Sequence, residues 1–123
     1  MKRLILTFSI LFLFVGICNA DEKDVLKSFE KIKANIETGL TLSKYNELLA
    51  DAQVEINIIS KGSNANPDFV RASEECLKKY KAAWAYWNMG NDMGLERGPY
   101  DLGRQKSWEE AAKLLDEVYK TLK

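Results

Sequence analysis

The 123-residue sequence contains no histidine. Histidine is the most frequent general base of enzymes and a frequent zinc ligand, so its absence excludes Ser-His-Asp triads, HExxH zinc sites and CxxCH haem attachment. The sequence also lacks an excess of either charge, because 18 Lys and Arg stand against 18 Asp and Glu. Recognition of a phosphate backbone needs clustered basic residues, so nucleic acid is not expected as a partner.

Long apolar runs are also missing, except near the start of the chain. A basic start and a largely apolar run over residues 4–17 precede two small residues, Cys18 and Ala20, at the −3 and −1 positions of a cleavage site. This layout predicts a secretory signal peptide at residues 1–20. The run is shorter than the roughly 20 residues of a spanning helix, so no membrane anchor is expected after cleavage. Lipidation of Cys18 is the less favoured alternative, because Ile17 before it is not small.

The expected mature protein is one small domain, residues 21–123, located in the periplasm or outside the cell. Cleavage removes Lys2 and Arg3 and leaves a net charge of −2. It also leaves Cys76 as the one remaining cysteine, which cannot form an internal disulfide. Packing alone must therefore stabilise the fold, and Cys76 is expected to be a small buried hydrophobe.

Four amphipathic helices are predicted, because apolar residues recur at spacings of three and four and no useful stretch alternates as a strand would. The predicted helices cover residues 22–38, from Thr41 or Ser43 to about Ser60, from Asn66 to Met93, and from Ser107 onward. We therefore expect an all-α fold, a small antiparallel up-down bundle of four helices. A three-helix bundle with the first helix loosely docked is the alternative.

Several helix ends carry recognisable signals. Gly39 is suited to the left-handed conformation of a C-terminal cap. Asn66 followed by Pro67 is typical of a helix start, with the asparagine as N-cap and the proline at the first helical position. Residues 107–110, with the sequence SWEE, match a capping box and predict the start of the last helix.

The apolar stripes of the four helices predict the core: Val25, Phe29, Ile32 and Ile36; Tyr45, Leu48, Leu49, Ala52, Ile56 and Ile59; Phe69, Ala72, Cys76, Tyr80, Ala83 and Trp87, widened by Leu77 and Trp84; and Trp108, Ala111, Leu115, Tyr119 and Leu122, with Ala112 and Val118 beside them. Val54 and Ile58 lie nearly opposite the stripe of the second helix. They are either ordinary exposed residues or part of a contact with a partner chain.

Residues 94–106 are predicted to form a loop, because the 13 residues contain three of the seven glycines and one of the two prolines. A connection of this length is long for a small bundle, and long loops are often mobile or functional. Leu95, Pro99, Tyr100 and Leu102 supply enough apolar surface for the loop to cover the neighbouring end of the third helix.

The third helix changes character after Lys81, where apolar residues lie on all sides. Such a segment is either buried all round or offers a surface to a ligand or partner. The candidate binding residues are the aromatic and methionine side chains at this end of the bundle: Trp84, Tyr86, Trp87, Met89, Met93, Tyr100 and Trp108. Two interpretations stay open, a packed core and a groove for a small apolar ligand or a partner helix, with the loop as its lid.

These features favour a non-catalytic binding or interaction module that needs no cofactor. A structural, self-associating bundle that uses Val54, Ile58 and the aromatic end of the third helix as contacts is the alternative. An enzyme or metal carrier based on carboxylates alone is less favoured, because helical di-metal sites use inward-facing Glu-x-x-His pairs and the acidic residues here flank the apolar stripes.

Overall fold

The computed structural model describes residues 22–62, 65–92 and 99–122, and the regular structure in these ranges is entirely helical. The four helices are α1 (Glu22–Thr38), α2 (Leu42–Ser60), α3 (Pro67–Asp92) and α4 (Pro99–Lys120). α2 packs against α1 and α3, and α3 and α4 form the most extensive pair. The prediction of an all-α bundle of four helices is confirmed, whereas the predicted signal peptide lies outside the described residues.

The end of α1 and the starts of α2 and α3 lie where local signals predict. Gly39 has a φ of 98° and its amide donates to the Asn35 carbonyl over 2.8 Å, which closes α1 with a left-handed residue. The Thr41 hydroxyl accepts from the Lys44 amide and caps α2. The Asn66 side chain accepts from two backbone amides of the first turn of α3, at 3.1 and 3.2 Å. These caps satisfy amides that have no partner within the helix.

The prediction for the start of α4 is wrong. Residues 99–106, predicted to be a loop, form the first two turns of α4, and Ser107 is a buried residue inside the helix instead of its cap. The physical reason lies in Pro99 and Asp101: proline is suited to the first helical position and an acidic residue is favourable in the first turn. Together with tertiary packing, these signals outweigh the cost of about 1 kcal/mol for Gly103 inside a helix.

The core follows the predicted stripes of α1 and α2 and departs from them in α4. Val25, Phe29 and Ile32 are fully buried, and Phe29 stacks on Tyr80 of α3 with ring centroids 6.1 Å apart, so α1 is firmly docked. The remaining buried apolar residues are Tyr45, Leu48, Leu49, Ala52, Ile56, Phe69, Cys76, Leu77, Tyr80, Ala83, Ala111, Leu115 and Val118.

Two residues assigned to the core face of α4 lie at the surface, since Tyr119 is 38% exposed and Leu122 is 40% exposed. Val118, assigned to the flank, is fully buried. The buried face of α4 therefore runs through Ala111, Leu115 and Val118, at spacings of four and three. The packing against α3 selects this face. The apolar pattern of α4 alone does not distinguish it from the neighbouring face, which contains Tyr119 and Leu122.

Val54 and Ile58 are 54% and 49% exposed on the outer face of α2, as expected for residues outside the core. Within the described ranges, every helix is too short or too polar to span a lipid bilayer.

Candidate functional site

The predicted binding residues do not gather in one place. Trp87 of α3 and Trp108 of α4 meet Tyr45 of α2 in one cluster, which we call the Tyr–Trp cluster. Trp84 lies in a separate groove between α2 and α3. Tyr86 and Met89 are at the surface near the end of α3, Tyr100 is half-buried in the first turn of α4, and Met93 lies outside the described residues.

The Tyr–Trp cluster is held by both ring packing and hydrogen bonds. The Trp108 ring stands edge-on to Tyr45 at 6.0 Å and to Trp87 at 6.2 Å. The fully buried Tyr45 hydroxyl donates to the Tyr80 carbonyl over 2.6 Å and accepts from Trp108 Nε1 over 3.0 Å. Buried Tyr and Trp side chains need such partners. The hydroxyl therefore ties together three helices, which the apolar pattern does not reveal.

Arg104 covers the Tyr–Trp cluster on its outer side. Its guanidinium carbon lies 4.8 Å from the Trp87 ring centroid and 5.2 Å from that of Trp108, within the range of cation–π attraction. Asp101, one turn earlier on α4, forms an ion pair with Arg104. Because the protein's own arginine occupies this position, the two tryptophans do not present a free platform for an apolar ligand.

The sequence does not reveal the role of Arg104, because residues 99–106 are predicted to form a loop. Pro99 is the signal that places Arg104 in a helix. A helix starting there brings Asp101, Arg104 and Trp108 onto one face at spacings of three and four.

Tyr86 packs against the backbone of α4 at Gly103. A Cβ atom at Gly103 would lie 2.8 Å from Tyr86 Cδ1 and Cε1, closer than carbon atoms approach, so the Tyr86 ring would have to shift if Gly103 were replaced. Tyr86 is nevertheless 37% exposed, and Met89 is 45% exposed. Tyr86 and Met89, two of the predicted binding residues, therefore present apolar surface, and Gly103 beside Tyr86 allows α3 and α4 to pack closely.

The groove between α2 and α3, which we call the Trp84 groove, has a volume of about 350 Å³. Its lining consists of two apolar α2 residues, three polar residues and the indole: Leu49, Ala50, Asn46, Gln53, Lys81 and Trp84. The indole Nε1 of Trp84 is buried and has no hydrogen-bond partner among the residues that the structure describes. Across the groove, the Lys81 ammonium donates to Gln53 Oε1 over 2.5 Å.

The charge of the Trp84 groove differs from that of the α3–α4 surface. There, Lys79 Nζ lies 2.8 Å from Glu110 Oε2. This hydrogen bond raises the pKa of Lys79 and lowers the pKa of Glu110. Lys81, by contrast, has no ion-pair partner in the described part of the chain, and no acidic residue lines the groove. The groove therefore carries an uncompensated positive charge at its rim.

The buried thiol of Cys76 is suited to a structural role and not to catalysis. Burial raises the pKa of the Cys76 thiol to about 12, so it remains protonated and non-nucleophilic at neutral pH. Its Sγ donates to the Ala111 carbonyl at 3.4 Å. Within the described ranges, no three Cys, Asp or Glu side chains gather closely enough to hold a metal ion.

A second depression, of about 380 Å³, lies between the end of α2 and the start of α3. Its lining includes Arg71 and Glu74, and Arg71 pairs with Asp68, so its charges are mixed and partly compensated. It contains none of the predicted binding residues.

Comparison with known proteins found no matching family model, no matching curated protein and no matching solved structure. The geometry and charge of the Trp84 groove are therefore the observations from which a function follows.

Proposed function

We propose that the protein is an exported, non-catalytic binding module that takes a small apolar ligand in the Trp84 groove. The observation that carries this proposal is a groove of ligand size between α2 and α3 whose lining surface is mainly apolar. Apolar ligand surface that this lining removes from water contributes about 25 cal/mol per Å² to binding.

The dimensions and lining of the groove support a ligand site. Its volume of about 350 Å³ lies within the range of about 300–1,000 Å³ typical of small-molecule sites. Leu49, Ala50 and the Trp84 ring provide the apolar surface, and Lys81 and Gln53 provide polar groups at one side. Such sites combine an apolar lining with a few polar groups that orient the ligand.

A non-catalytic role is favoured because no histidine, cysteine or carboxylate, the groups that most often transfer protons or attack substrates, lines this groove. The sequence has no histidine. Cys76, with its raised pKa, does not line the groove. Export is part of the proposal and depends on the basic, apolar and small-residue pattern of residues 1–20.

The proposal includes an antiparallel, up-down arrangement of the helices. Residues 39–41 alone connect α1 to α2, and short connections join antiparallel neighbours in bundles. The Asn66 side chain, at the start of α3, donates to the Thr121 carbonyl, just beyond the end of α4, over 3.4 Å. This contact supports opposite directions for α3 and α4.

The indole N–H signals of Trp84, Trp87 and Trp108 in a ¹H–¹⁵N NMR spectrum test ligand binding directly. We expect 1-decanol, whose chain is apolar, to shift the Trp84 N–H signal more than the other two, because the Trp84 side chain lines the groove. The Trp108 N–H, which already donates to Tyr45, is the internal control and should move little. A Trp84→Phe variant assigns the signal. No shift at Trp84 under saturating ligand, or equal shifts at all three indoles, would contradict the proposal.

Self-association is the second candidate function, and the exposure of Val54 and Ile58 one turn apart on α2 favours it. Two exposed apolar side chains on one helix face offer a contact to a second copy. Sedimentation velocity over a concentration series tests this candidate, with Val54→Ser as the variant that should weaken any dimer. A monomer at all concentrations would exclude it.

A further inference from the structure

We propose that the outer face of α2 is the contact surface of a two-fold symmetric dimer, in which the α2 helices of two copies of the chain lie antiparallel. This inference depends on the second candidate function, self-association, and it names the orientation and the residues of the contact. It derives from four residues of α2 and its C-cap, which we call the α2 stripe: Asp51, Val54, Ile58 and Lys61.

The α2 stripe has the spacing of a packing seam between helices. Its members lie three, four and three residues apart, as the a and d positions of a heptad do, so they align on one side of the helix. All four residues are exposed. Lys61, the C-cap of α2, has right-handed helical backbone angles, so it continues the row beyond Ser60. The rest of the described chain therefore leaves this row of side chains uncovered.

The chemical order of the α2 stripe is self-complementary. From its N-terminal end it consists of an acidic residue, two apolar residues and a basic residue. The two charged positions and the two apolar positions share one midpoint, level with Ile56. A second copy turned by 180° about that level places its Lys61 opposite Asp51 and its Ile58 opposite Val54. Such reciprocal pairing is the property of an isologous two-fold interface.

The charges of the α2 stripe are available for this pairing, and they select the orientation. Neither Asp51 nor Lys61 has an ion-pair partner in the described part of the chain. In a parallel pair of helices each charged residue would meet its own counterpart, which is repulsive. The antiparallel pair forms two ion pairs instead. Charge complementarity therefore favours a second copy of this chain, in the antiparallel orientation, as the occupant of the stripe.

The apolar centre of the contact is small, so the dimer is weak. It consists of Val54 and Ile58 from each copy, which are 54% and 49% exposed in the single chain. Exposed ion pairs add only modestly to affinity, and interfaces below about 1,200 Å² belong to weak complexes. We expect a dissociation constant between about 10 μM and about 1 mM.

Sedimentation equilibrium of four proteins tests the inference: the wild type, Asp51→Lys, Lys61→Asp and the variant with both substitutions. Each single substitution places like charges opposite each other at both ends of the contact, so it should weaken the dimer by about tenfold or more. The double variant exchanges the two charges and restores both ion pairs. Its affinity should therefore return to within about threefold of the wild-type value.

Asp116→Lys is the matched control. Asp116 is exposed on α4, outside the α2 stripe, and its substitution changes the net charge by the same amount as Asp51→Lys. It should leave the dimer affinity unchanged. Circular dichroism at 222 nm confirms that each variant is folded, and Asp51→Asn with Lys61→Gln, which only remove the charges, replace any reversed variant that is not. Each of these two should weaken the dimer by about two- to fivefold.

The outcomes separate this inference from self-association as such. A wild-type dimer that Asp51→Lys and Lys61→Asp do not weaken would overturn the antiparallel contact while self-association remained. Weakening by both single substitutions without recovery in the double variant would show that the two charges do not meet across the dimer, and it would also overturn the contact. A monomer at all concentrations up to about 1 mM would overturn both.

Discussion

Replacing Gly103 with alanine should destabilise the protein, although the same change in an open helix would stabilise it. Alanine is favoured over glycine in a helix interior by about 1 kcal/mol. At Gly103, however, the new Cβ would lie 2.8 Å from Tyr86 Cδ1 and Cε1 and 3.0 Å from Cζ. The ring has to move, and overpacking of this kind costs about 1–3 kcal/mol. The net effect is a loss of up to about 2 kcal/mol in the free energy of unfolding.

A double-mutant cycle isolates the contact between the two residues. In a Tyr86→Ala background the space beside Gly103 is open, so Gly103→Ala should stabilise the protein by about 1 kcal/mol. The coupling between the two substitutions should therefore be about 1–3 kcal/mol. Urea unfolding followed by circular dichroism at 222 nm measures all four free energies of unfolding.

Gln105→Gly is the matched control, because Gln105 is exposed in the same stretch of α4. It should cost about 1 kcal/mol if residues 99–106 are helical in solution. Equal stabilisation by Gly103→Ala in both backgrounds would refute the packing of Tyr86 on Gly103. A Gln105→Gly variant as stable as the wild type would refute the early start of α4.

Three further predictions concern the buried Tyr45 hydroxyl, the response to alkaline pH and the processing of the chain. Tyr45→Phe should destabilise by about 1–3 kcal/mol in urea melts, because it leaves the Trp108 indole N–H without its acceptor; a loss below about 0.5 kcal/mol would mean that this bond is absent in solution. Burial raises the pKa of Tyr45 and Tyr80 above the ordinary 10.0 and that of Cys76 from 9.0 to about 12, so the folded state retains protons that the unfolded chain releases. The contribution of these groups to the free energy of unfolding should accordingly be fully present below pH ~9, and it should fall above that pH by up to about 1.4 kcal/mol per pH unit for each group. Urea midpoints that stay constant to pH ~11 would contradict this. Intact-mass measurement of the exported protein should show that residues 1–20 are absent, and a mass that includes them, or a lipid on Cys18, would disprove the predicted cleavage.

The sequence by itself determined α1, α2 and α3 closely, because the signals that define them are local. The Thr41 and Asn66 caps and the left-handed Gly39 act within a few residues of each helix end. The apolar stripes also identified the buried residues of α1 and α2, since a helix can bury only one side against a small core. The exposure of Val54 and Ile58 follows from the same argument.

Tertiary structure decided the start and the buried face of α4, and with them the candidate site. Locally, the three glycines of residues 94–106 and the capping-box pattern at residues 107–110 favour a later start of α4, whereas Pro99 favours an earlier one. The packing of Tyr86 on Gly103 depends on how closely α3 approaches α4. The placement of Arg104 over two tryptophans also brings together residues from different helices. The Trp84 groove exists because α2 and α3 leave a gap between them, with Gln53 and Lys81 joined across it. Such distances depend on the relative positions of whole helices, which no local pattern of apolar residues specifies.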